Sequence, residues 1–391
     1  MHLVLDTENS IFQKGNPFSR RNVCCAIGWA EWSERNNHSG VLKLEHGGNL
    51  VTADTLTFIQ KMLYETELLI GFNLKYDLHW LRRYGLDVPT KLRLWDVQSV
   101  QFIIENQRNA YPSMAKTSEF YGLQPKFDAI EGEYWDKGID TTNIPWEVVQ
   151  RRAHEDVLLT YDLYKRQKDK LPTYKERLVS LTNQDLRMLA EMEWHGLRYD
   201  TKSSLEQSTI IKGEIESIDS ELTGLFGDHP FNWSSNDHGS VCLYGGVIRF
   251  RVRTPYDHTY KGGAKAGTTE TRYKHSVYEV SFPRLVEPLE KSALKKPGYW
   301  STAADVLKQL RGSKHAKRVI GLMTRRSDLE KLNSTYLQGF PAKIEEMDWE
   351  PGTIHGQLNQ SVVVTGRLSS SGPNMQNLLE EAQALVKSRY T

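Results

Sequence analysis

With 391 residues, of which 25% are charged and 39% hydrophobic, the chain is long enough for two or three domains with cores of their own, and its composition excludes a disordered or fibrous protein. The formal net charge of +1 hides an uneven distribution, because Lys and Arg crowd residues 248–275 and 307–331 and leave room for a basic groove. No run approaches the roughly 18–20 apolar residues of a membrane span, and Met1 leads into an apolar strand pattern instead of a signal peptide, so we expect a cytoplasmic protein without a membrane partner.

The first 172 residues alternate between strand-like and helix-like patterns. Short apolar runs predict strands at 2–6, 22–32, 40–46 and 67–73, with HSG at 38–40 as the turn of a hairpin. The spacing of apolar residues predicts helices at 52–66, 75–85, 96–106, 113–123 and 145–172. This alternation predicts an α/β domain.

From about residue 174 the pattern becomes mainly helical. Helices are predicted at 176–197 and 203–227, and again within 302–347. Strand-like runs between 241 and 285, around KGGAKAG at 261–267, predict a basic β insertion in this helical region. Residues 354–368 predict two further β-type runs, the second of them VVVTGRL.

Four carboxylates stand at positions that suit metal-assisted chemistry: Asp6, Glu8, Asp77 and Asp156. Hard divalent cations prefer oxygen ligands, and two ions about 4 Å apart can activate a water and stabilise the leaving oxygen in phosphodiester cleavage. Residues i and i+2 of a strand point to the same side, so Asp6 and Glu8 can meet one pair of ions. Asp77 at a helix start and Asp156 within a long helix could supply the remaining oxygens.

Each of these carboxylates also has an ordinary interpretation. Asp-x-Glu is a common sequence, Asp77 suits a helix start, and Asp156 suits an exposed position on a helix. Their context favours a site, because Asp6 ends a strand that a normal core would keep apolar. Asn73 and Tyr76 precede Asp77 within GFNLKYD in a fixed pattern.

LDTE (5–8), NLKYD (73–77) and HED (154–156) resemble, in order and approximate spacing, the three motifs of the DEDD superfamily of 3′→5′ exonucleases. They are most similar to the proofreading domain of family A DNA polymerases. The resemblance implies a ribonuclease H-like fold, with a mixed sheet flanked by helices. It implies that Asp6, Glu8, Asp77 and Asp156 hold two divalent ions, Mg²⁺ or Mn²⁺, and that Asn73 lies beside the substrate strand.

One position departs from this resemblance. The proofreading subgroup has a Tyr four residues before the last Asp, where this chain has Arg152, and another subgroup has a His five residues before it, where this chain has Arg151. His154 lies on a different helical face from Asp156, and Tyr161 stands about one turn beyond. A guanidinium suits the scissile phosphate better than it suits the orientation of a water. Metal binding is therefore better supported than a full catalytic rate.

The rest of the chain resembles the polymerase region of family A enzymes, and the insertion at 244–290 resembles that of phage-type members. The matching segments follow the order of that family: MEWHG (192–196), FNWSSND (231–237), KLNSTYL (331–337), GTIHGQLNQ (352–360) and TGRLSSSGPNMQN (365–377). Taken alone, SSSGPN is a turn and residues 307–331 are a solvated helix face. Their occurrence in series favours the binding of DNA.

The resemblance also implies individual roles in the binding of primer–template duplex. Arg367 would read the minor groove at the primer end, where every base pair presents acceptors. Contacts with the sugar–phosphate backbone and bases are implied for Asn374, Gln376 and Asn377, and contacts with duplex phosphates for Lys331 and Arg325. Three regions follow: an exonuclease domain at 1–172, a thumb region at 173–350 with the basic insertion at about 241–290, and the incomplete start of a palm at 351–391.

The sequence stops before the acidic motifs that synthesis would need, so this chain alone is not expected to make DNA. The leading hypothesis is a Mg²⁺- or Mn²⁺-dependent exonuclease acting on single-stranded 3′ ends, in the cytoplasm, or the host cytoplasm if a phage encodes it. The second hypothesis is a nuclease-impaired, DNA-binding half of a split polymerase that needs a C-terminal polymerase fragment or another replisome protein. A ribonuclease of the same superfamily is a third. The ligand of the basic insertion stays open between duplex DNA and a processivity partner.

Overall fold

The computed structural model describes residues 1–33, 37–124 and 129–387. The chain divides into two compact units, one made of Met1–Thr201 with Phe340–Thr391 and the other of Lys202–Gly339. Among the helices of the described residues, none is long and apolar enough to cross a membrane.

A five-stranded mixed sheet lies at the centre of the first unit. Its strands are β1 (His2–Asn9), β2 (Cys24–Trp32), β3 (Asn37–Lys43), β4 (Leu68–Gly71) and β5 (Arg93–Asp96), in the spatial order β3-β2-β1-β4-β5. The pairs β1–β2 and β2–β3 are antiparallel, whereas β1–β4 and β4–β5 are parallel. The four predicted strands are thus confirmed.

Two details of the sheet differ from the sequence prediction. HSG at 38–40 lies inside β3, so its prediction as a hairpin turn was wrong, and residues 34–36 between β2 and β3 lie outside the described residues. His38, Ser39 and Gly40 instead pair with residues of β2 in the antiparallel ladder. The sequence also gave no sign of β5, because RLWD is too short to show an alternating pattern.

The helices of the first unit pack on both faces of this sheet. They are α1 (Ala53–Glu65), α2 (Leu74–Arg83), α3 (Val97–Ile104), α4 (Met114–Phe120), α5 (Ala129–Glu133), α6 (Trp146–Lys170) and α7 (Thr173–His195). Side chains of β1 point alternately to the two faces. Leu3 and Leu5 join the core that contains α1 and α2, and Val4 joins the core that contains α3 and α6. Both faces of β1 are therefore buried.

A close backbone approach sets α6 against the sheet. At Gly28 in β2, an added Cβ would lie 2.3 Å from the carbonyl oxygen of Ala153 in α6. Only glycine leaves room for that contact. The buried residues Val157 and Leu163 then hold α6 on the same face as Val4.

The remaining elements of the first unit are short: β6 (Leu197–Tyr199), α12 (Gly339–Glu346, most of it), β9 (Thr353–Ile354), β10 (Gln357–Asn359), β11 (Ser369–Ser371), α13 (Glu380–Gln383) and β12 (Val386–Lys387). The prediction of a strand at VVVTGRL was wrong, because residues 362–368 form an irregular connection between β10 and β11. A turn interrupts the run, where the amide of Gly366, at φ +73°, donates to the carbonyl of Val363 over 2.8 Å. Local turn formation here overrides the strand preference of valine.

The buried carboxylate of Glu193 in α7 connects this helix to α2 and β10. Glu193 accepts hydrogen bonds from Lys75 Nζ at 2.5 Å, from His79 Nε2 at 2.8 Å and from the amide of Leu358 at 2.5 Å. Although burial raises the pKa of Glu193, these donors and the Lys75 charge outweigh it and leave the pKa lowered. The carboxylate is therefore ionised and fully engaged.

The second unit is mainly helical, as predicted. Its elements are α8 (Thr201–Phe226), α9 (Asn236–Tyr244), β7 (Gly246–Thr259), β8 (Thr269–Phe282), α10 (Ala304–Leu307), α11 (Lys314–Lys331) and a π-helical turn at Leu332–Leu337. Strands β7 and β8 pair over their full length as an antiparallel ribbon, which confirms the strands predicted around KGGAKAG. Apolar residues of α8, α9 and α11 form the main core of this unit.

Candidate functional site

Three of the predicted carboxylates converge at the end of β1. Asp6 and Glu8 occupy alternate positions of β1 and therefore point to the face on which Val4 packs with α6. Asp156 comes from the buried side of α6 and meets them there. Carboxylate oxygens of the three residues lie within 4.8 Å of one another, and Glu8 and Asp156 are buried. The approach of α6 at Gly28 makes this meeting possible.

Asp77 lies beside the cluster and has a different local role. It stands in the first turn of α2, and its Oδ1 accepts hydrogen bonds from the amide of Thr7 at 3.1 Å and from Thr7 Oγ1 at 2.8 Å. Burial raises the pKa of Asp77 to about 8. Among the described residues Asp77 is not within the 4.8 Å group, but it lines the same cavity of about 460 Å³ as Asp6, Glu8 and Asp156. The sequence did not single out Thr7, whose side chain fixes this carboxylate.

Arg152 points its charge into the acidic cluster. Its Nε donates to Glu8 Oε1 over 2.9 Å and lies 3.9 Å from Asp156 Oδ2, and its guanidinium lies 4.6 Å from the centre of the Trp135 ring. The side chains of Arg152, Glu8 and Asp156 are all buried. A permanent positive charge therefore already offsets part of the negative charge that a metal would find. Nothing in the sequence linked Trp135 to this position.

The donor set suits a divalent cation. Carboxylate oxygens at this mutual separation, at the wall of an open cavity, are the ligands that Mg²⁺ and Mn²⁺ prefer. The residues therefore fit a metal ion, with Arg152 as a competitor for Glu8.

The other residues predicted around the nuclease motifs lie elsewhere. His154 Nε2 and Ser39 Oγ lie 2.9 Å apart, and the Tyr161 ring stacks on Trp32 at 3.6 Å. Arg151 is exposed and pairs with Glu155 one turn along α6 over 2.8 Å. Each of these side chains has a structural explanation away from the cluster.

Asn73 lies at a second cavity next to the first. It adopts a left-handed conformation at φ 59° immediately before α2, and it is exposed. The second cavity, of about 580 Å³, is lined by Asn73, Lys75, Gln357 and Ser371 among others. Lys14 and Tyr76 line both cavities, and the Tyr76 hydroxyl donates to the carbonyl of Gly15 over 2.6 Å. The two cavities thus share a wall within the first unit.

The residues predicted to bind duplex lie on surfaces. In the first unit, the side chains of four such residues are exposed: Arg367, Asn374, Gln376 and Asn377. The carbonyl oxygen of the Asn374 side chain accepts a hydrogen bond from the amide of Gln376 over 2.9 Å, so it stabilises a turn. Lys331 is exposed at the end of α11 in the second unit. Arg325, on the same helix, makes a two-pronged ion pair with Glu214 at 2.9 and 3.3 Å.

Comparison with known proteins shows a similarity to DNA polymerases. The model of DNA polymerase family A matches residues 266–390. Over this stretch the chain is similar to the family A DNA polymerases. A DNA polymerase of Bacillus phage SP01 is 24% identical over 383 residues, which is 92% of this chain and 39% of that protein. The thermostable DNA polymerase I of Thermus thermophilus is 29% identical over 252 residues, which is 61% of this chain and 25% of that enzyme.

A solved structure shares the fold. The POL domain of Pol1 from M. smegmatis, in complex with DNA primer-template and dNTP, superimposes with a TM-score of 0.61 at 14% identity, over 98% of this chain and 53% of that domain. The chain therefore shares the fold of the matched part of that POL domain, with an α/β region and a helical region. It spans about a quarter to two fifths of the length of these two curated relatives.

Proposed function

We propose that this chain is a proofreading-type 3′→5′ exonuclease joined to the primer–template-binding region of a family A DNA polymerase. The observation that carries the proposal is the convergence of Asp6, Glu8 and Asp156, from β1 and α6, at the wall of one cavity with Asp77. Carboxylates are rarely gathered in this way, because their mutual repulsion and burial are costly.

The sheet supports a ribonuclease H-like assignment for residues 1–172. Three antiparallel strands followed by two parallel ones, with helices on both faces, are the arrangement that the motif resemblance implies. On this proposal residues 173–350 form the thumb region, with the insertion at about 241–290, and residues 351–391 begin the palm.

The chain's own residues would share the work of phosphodiester hydrolysis. Asp6, Glu8 and Asp156 would hold divalent ions, and Thr7 would keep Asp77 oriented toward the same cavity. When bound, such ions activate a water and stabilise the leaving 3′ oxygen. Asn73 at the adjoining cavity would contact the strand end, because its exposed amide can both donate and accept.

Arg152 would act on the phosphate or on the cluster. A guanidinium that lies at the cavity wall can pair with a phosphate oxygen as well as with Glu8. The surface residues Lys331, Arg367, Asn374, Gln376 and Asn377 would contact primer–template duplex. Their exposed amide and cationic groups suit backbone and minor-groove contacts.

The test is degradation of a 5′-labelled single-stranded oligonucleotide in Mg²⁺, Mn²⁺ or EDTA. Stepwise shortening from the 3′ end is expected, and EDTA, Asp6→Ala and Asp156→Ala should each abolish it. Asp162→Ala is the matched control, because Asp162 is a half-exposed acid on the same helix that pairs with Lys165. Shortening that survives Asp6→Ala and Asp156→Ala would assign the activity to a contaminant and contradict the proposal.

A second candidate, the nuclease-impaired DNA-binding half of a split polymerase, is favoured by one observation. The Arg152–Glu8 ion pair places a fixed cation beside a carboxylate that would otherwise be free to hold a metal ion. On this candidate the wild-type chain binds the oligonucleotide but leaves it intact in Mg²⁺ and Mn²⁺. Arg152→Tyr, which supplies the residue of the proofreading motif, would then create shortening. If wild type already shortens the strand at a rate that Arg152→Tyr does not increase, this candidate fails.

A further inference from the structure

The β7–β8 ribbon of the second unit has two chemically different faces. Directly paired residues of an antiparallel ribbon share a face. Ile248, Phe250 and Phe282 lie on one face and are 3%, 2% and 7% exposed, in a core with Val241 and Cys242. This core anchors the base of the ribbon and turns the opposite face outward.

The outward face carries a regular row of arginines. Arg249, Arg251 and Arg253 alternate along β7 and are all exposed. Their cross-strand neighbours are Glu279, Val277 and His275, and only the first pair is ionic, at 3.8 Å between Arg249 and Glu279 among the described contacts. At about 3.3–3.4 Å per residue, neighbouring arginine positions are about 6.7 Å apart.

The ribbon as a whole is basic. Residues 246–282 hold seven Lys or Arg and three Asp or Glu, a formal charge of +4, whereas the whole chain carries +1. The basic residues that the sequence showed at 248–275 are therefore concentrated on a single projecting element, and three of them form the row. Such an element attracts a polyanion at long range.

We infer that the arginine row binds the phosphate backbone of duplex DNA. A guanidinium binds phosphate through two parallel hydrogen bonds, and a row at this interval matches the spacing between neighbouring phosphates along a strand. An acidic protein surface does not repeat its charges so regularly. A two-stranded ribbon is also narrow enough to follow a groove of the duplex.

The aromatic side chain on the same face favours duplex over single strand. Surfaces that bind single strands offer open aromatic faces on which bases stack. The tyrosine on the arginine face, Tyr273, has its ring covered by Arg253, whose guanidinium carbon lies 3.4 Å from the ring centre. This face therefore offers cations to phosphates more readily than rings to bases. In a duplex the bases already stack on each other and the phosphates are outside.

The experiment compares two double variants of the full chain that remove equal charge from opposite faces. Arg251→Gln with Arg253→Gln alters the row, and Arg272→Gln with Lys274→Gln alters the other face of the same ribbon. Binding of a fluorescent blunt duplex is followed by anisotropy in EDTA from about 50 to 200 mM NaCl, and slopes of log K against log salt are compared. Metal is absent throughout, so the result does not depend on the proposed nuclease.

The row variant should weaken duplex binding roughly tenfold or more at about 100 mM salt and reduce the slope by about 2, one for each phosphate contact. The opposite-face variant should change the slope by less than half as much, and Arg251→Lys with Arg253→Lys should keep the wild-type slope. Circular dichroism checks that each ribbon variant is folded.

Three results would overturn the inference. Unchanged duplex affinity in the row variant would leave the row without a role in DNA binding and point to an acidic protein partner. Equal losses in both double variants would show that net charge, not the row, attracts the duplex. A greater loss on the single strand of the same sequence would exclude the duplex as the ligand.

Discussion

Replacement of Arg152 by Gln tests whether this side chain serves as a built-in counter-ion of the acidic cluster. Its Nε lies 2.9 Å from Glu8 Oε1 and 3.9 Å from Asp156 Oδ2, and all three side chains are buried. Removal of one partner of a buried ion pair leaves an uncompensated charge and costs about 3–5 kcal/mol. For a unit of this size the loss lowers the unfolding midpoint by roughly 6–20 °C.

The same variant should bind divalent cations more tightly. In the wild type, a divalent cation would compete with the guanidinium for Glu8, because both are positive. Each tenfold gain in metal affinity raises the free energy of unfolding at saturating metal by about 1.4 kcal/mol. Addition of Mg²⁺ or Mn²⁺ should therefore raise the melting temperature of Arg152→Gln more than that of the wild type, and recover part of the loss seen in EDTA.

Thermal unfolding in EDTA and in Mg²⁺, followed by circular dichroism, measures both effects. Arg151→Gln is the matched control, because Arg151 is exposed and its pair with Glu155 is worth only about 0.3–0.5 kcal/mol. Two outcomes would refute the reasoning. One is an Arg152→Gln protein whose melting temperature in EDTA equals that of Arg151→Gln. The other is a metal-induced rise in the melting temperature of Arg152→Gln that equals the rise seen for the wild type.

Three further changes test the packing and the buried polar groups of the first unit. Gly28→Ala should cost about 1–3 kcal/mol in urea unfolding and weaken metal binding, because the new methyl group would press on the Ala153 carbonyl and displace α6. Gly213→Ala is the control, because it lies in an open position within α8 and should stabilise the protein by about 0.4–1 kcal/mol. Glu193→Gln should cost about 3–5 kcal/mol in the same assay, since it removes the buried charge that pairs with the partly buried Lys75. A loss below about 1 kcal/mol would mean that this network contributes little to stability. Burial lowers the pKa of His46, so the folded state binds its proton less tightly than the unfolded state and stability is lost as pH falls below about 6.5. His46→Gln should make stability less dependent on pH between about 7.5 and 5.5, and an unchanged slope of midpoint against pH would exclude this role.

Much of the local structure could be predicted from the sequence. Long periodic segments such as 145–172 form the predicted helices, because regularly spaced apolar residues make one helix face that must be buried whatever the topology. The alternation in β1 already placed Asp6 and Glu8 on one side of a strand. Short or irregular pieces escaped prediction, as with RLWD in β5 and the connection at 362–368, where pairing partners and a turn decide the outcome.

Only the tertiary structure decided which charges meet. Arg152 was a departure from a motif in the sequence, and its contact with Glu8, 144 positions away, depends on how α6 lies on β2 at Gly28. Thr7 and Trp135 gave no sequence signal, because a hydroxyl and an indole have many ordinary uses. The exposure of the arginine row also depends on tertiary structure. Only the pairing of β7 with β8, and the core at the base of this ribbon, show which of its two faces is buried. The sequence by itself thus determined the elements and the residue types, whereas long-range packing determined their partners, because contact between distant residues depends on topology and not on local preference.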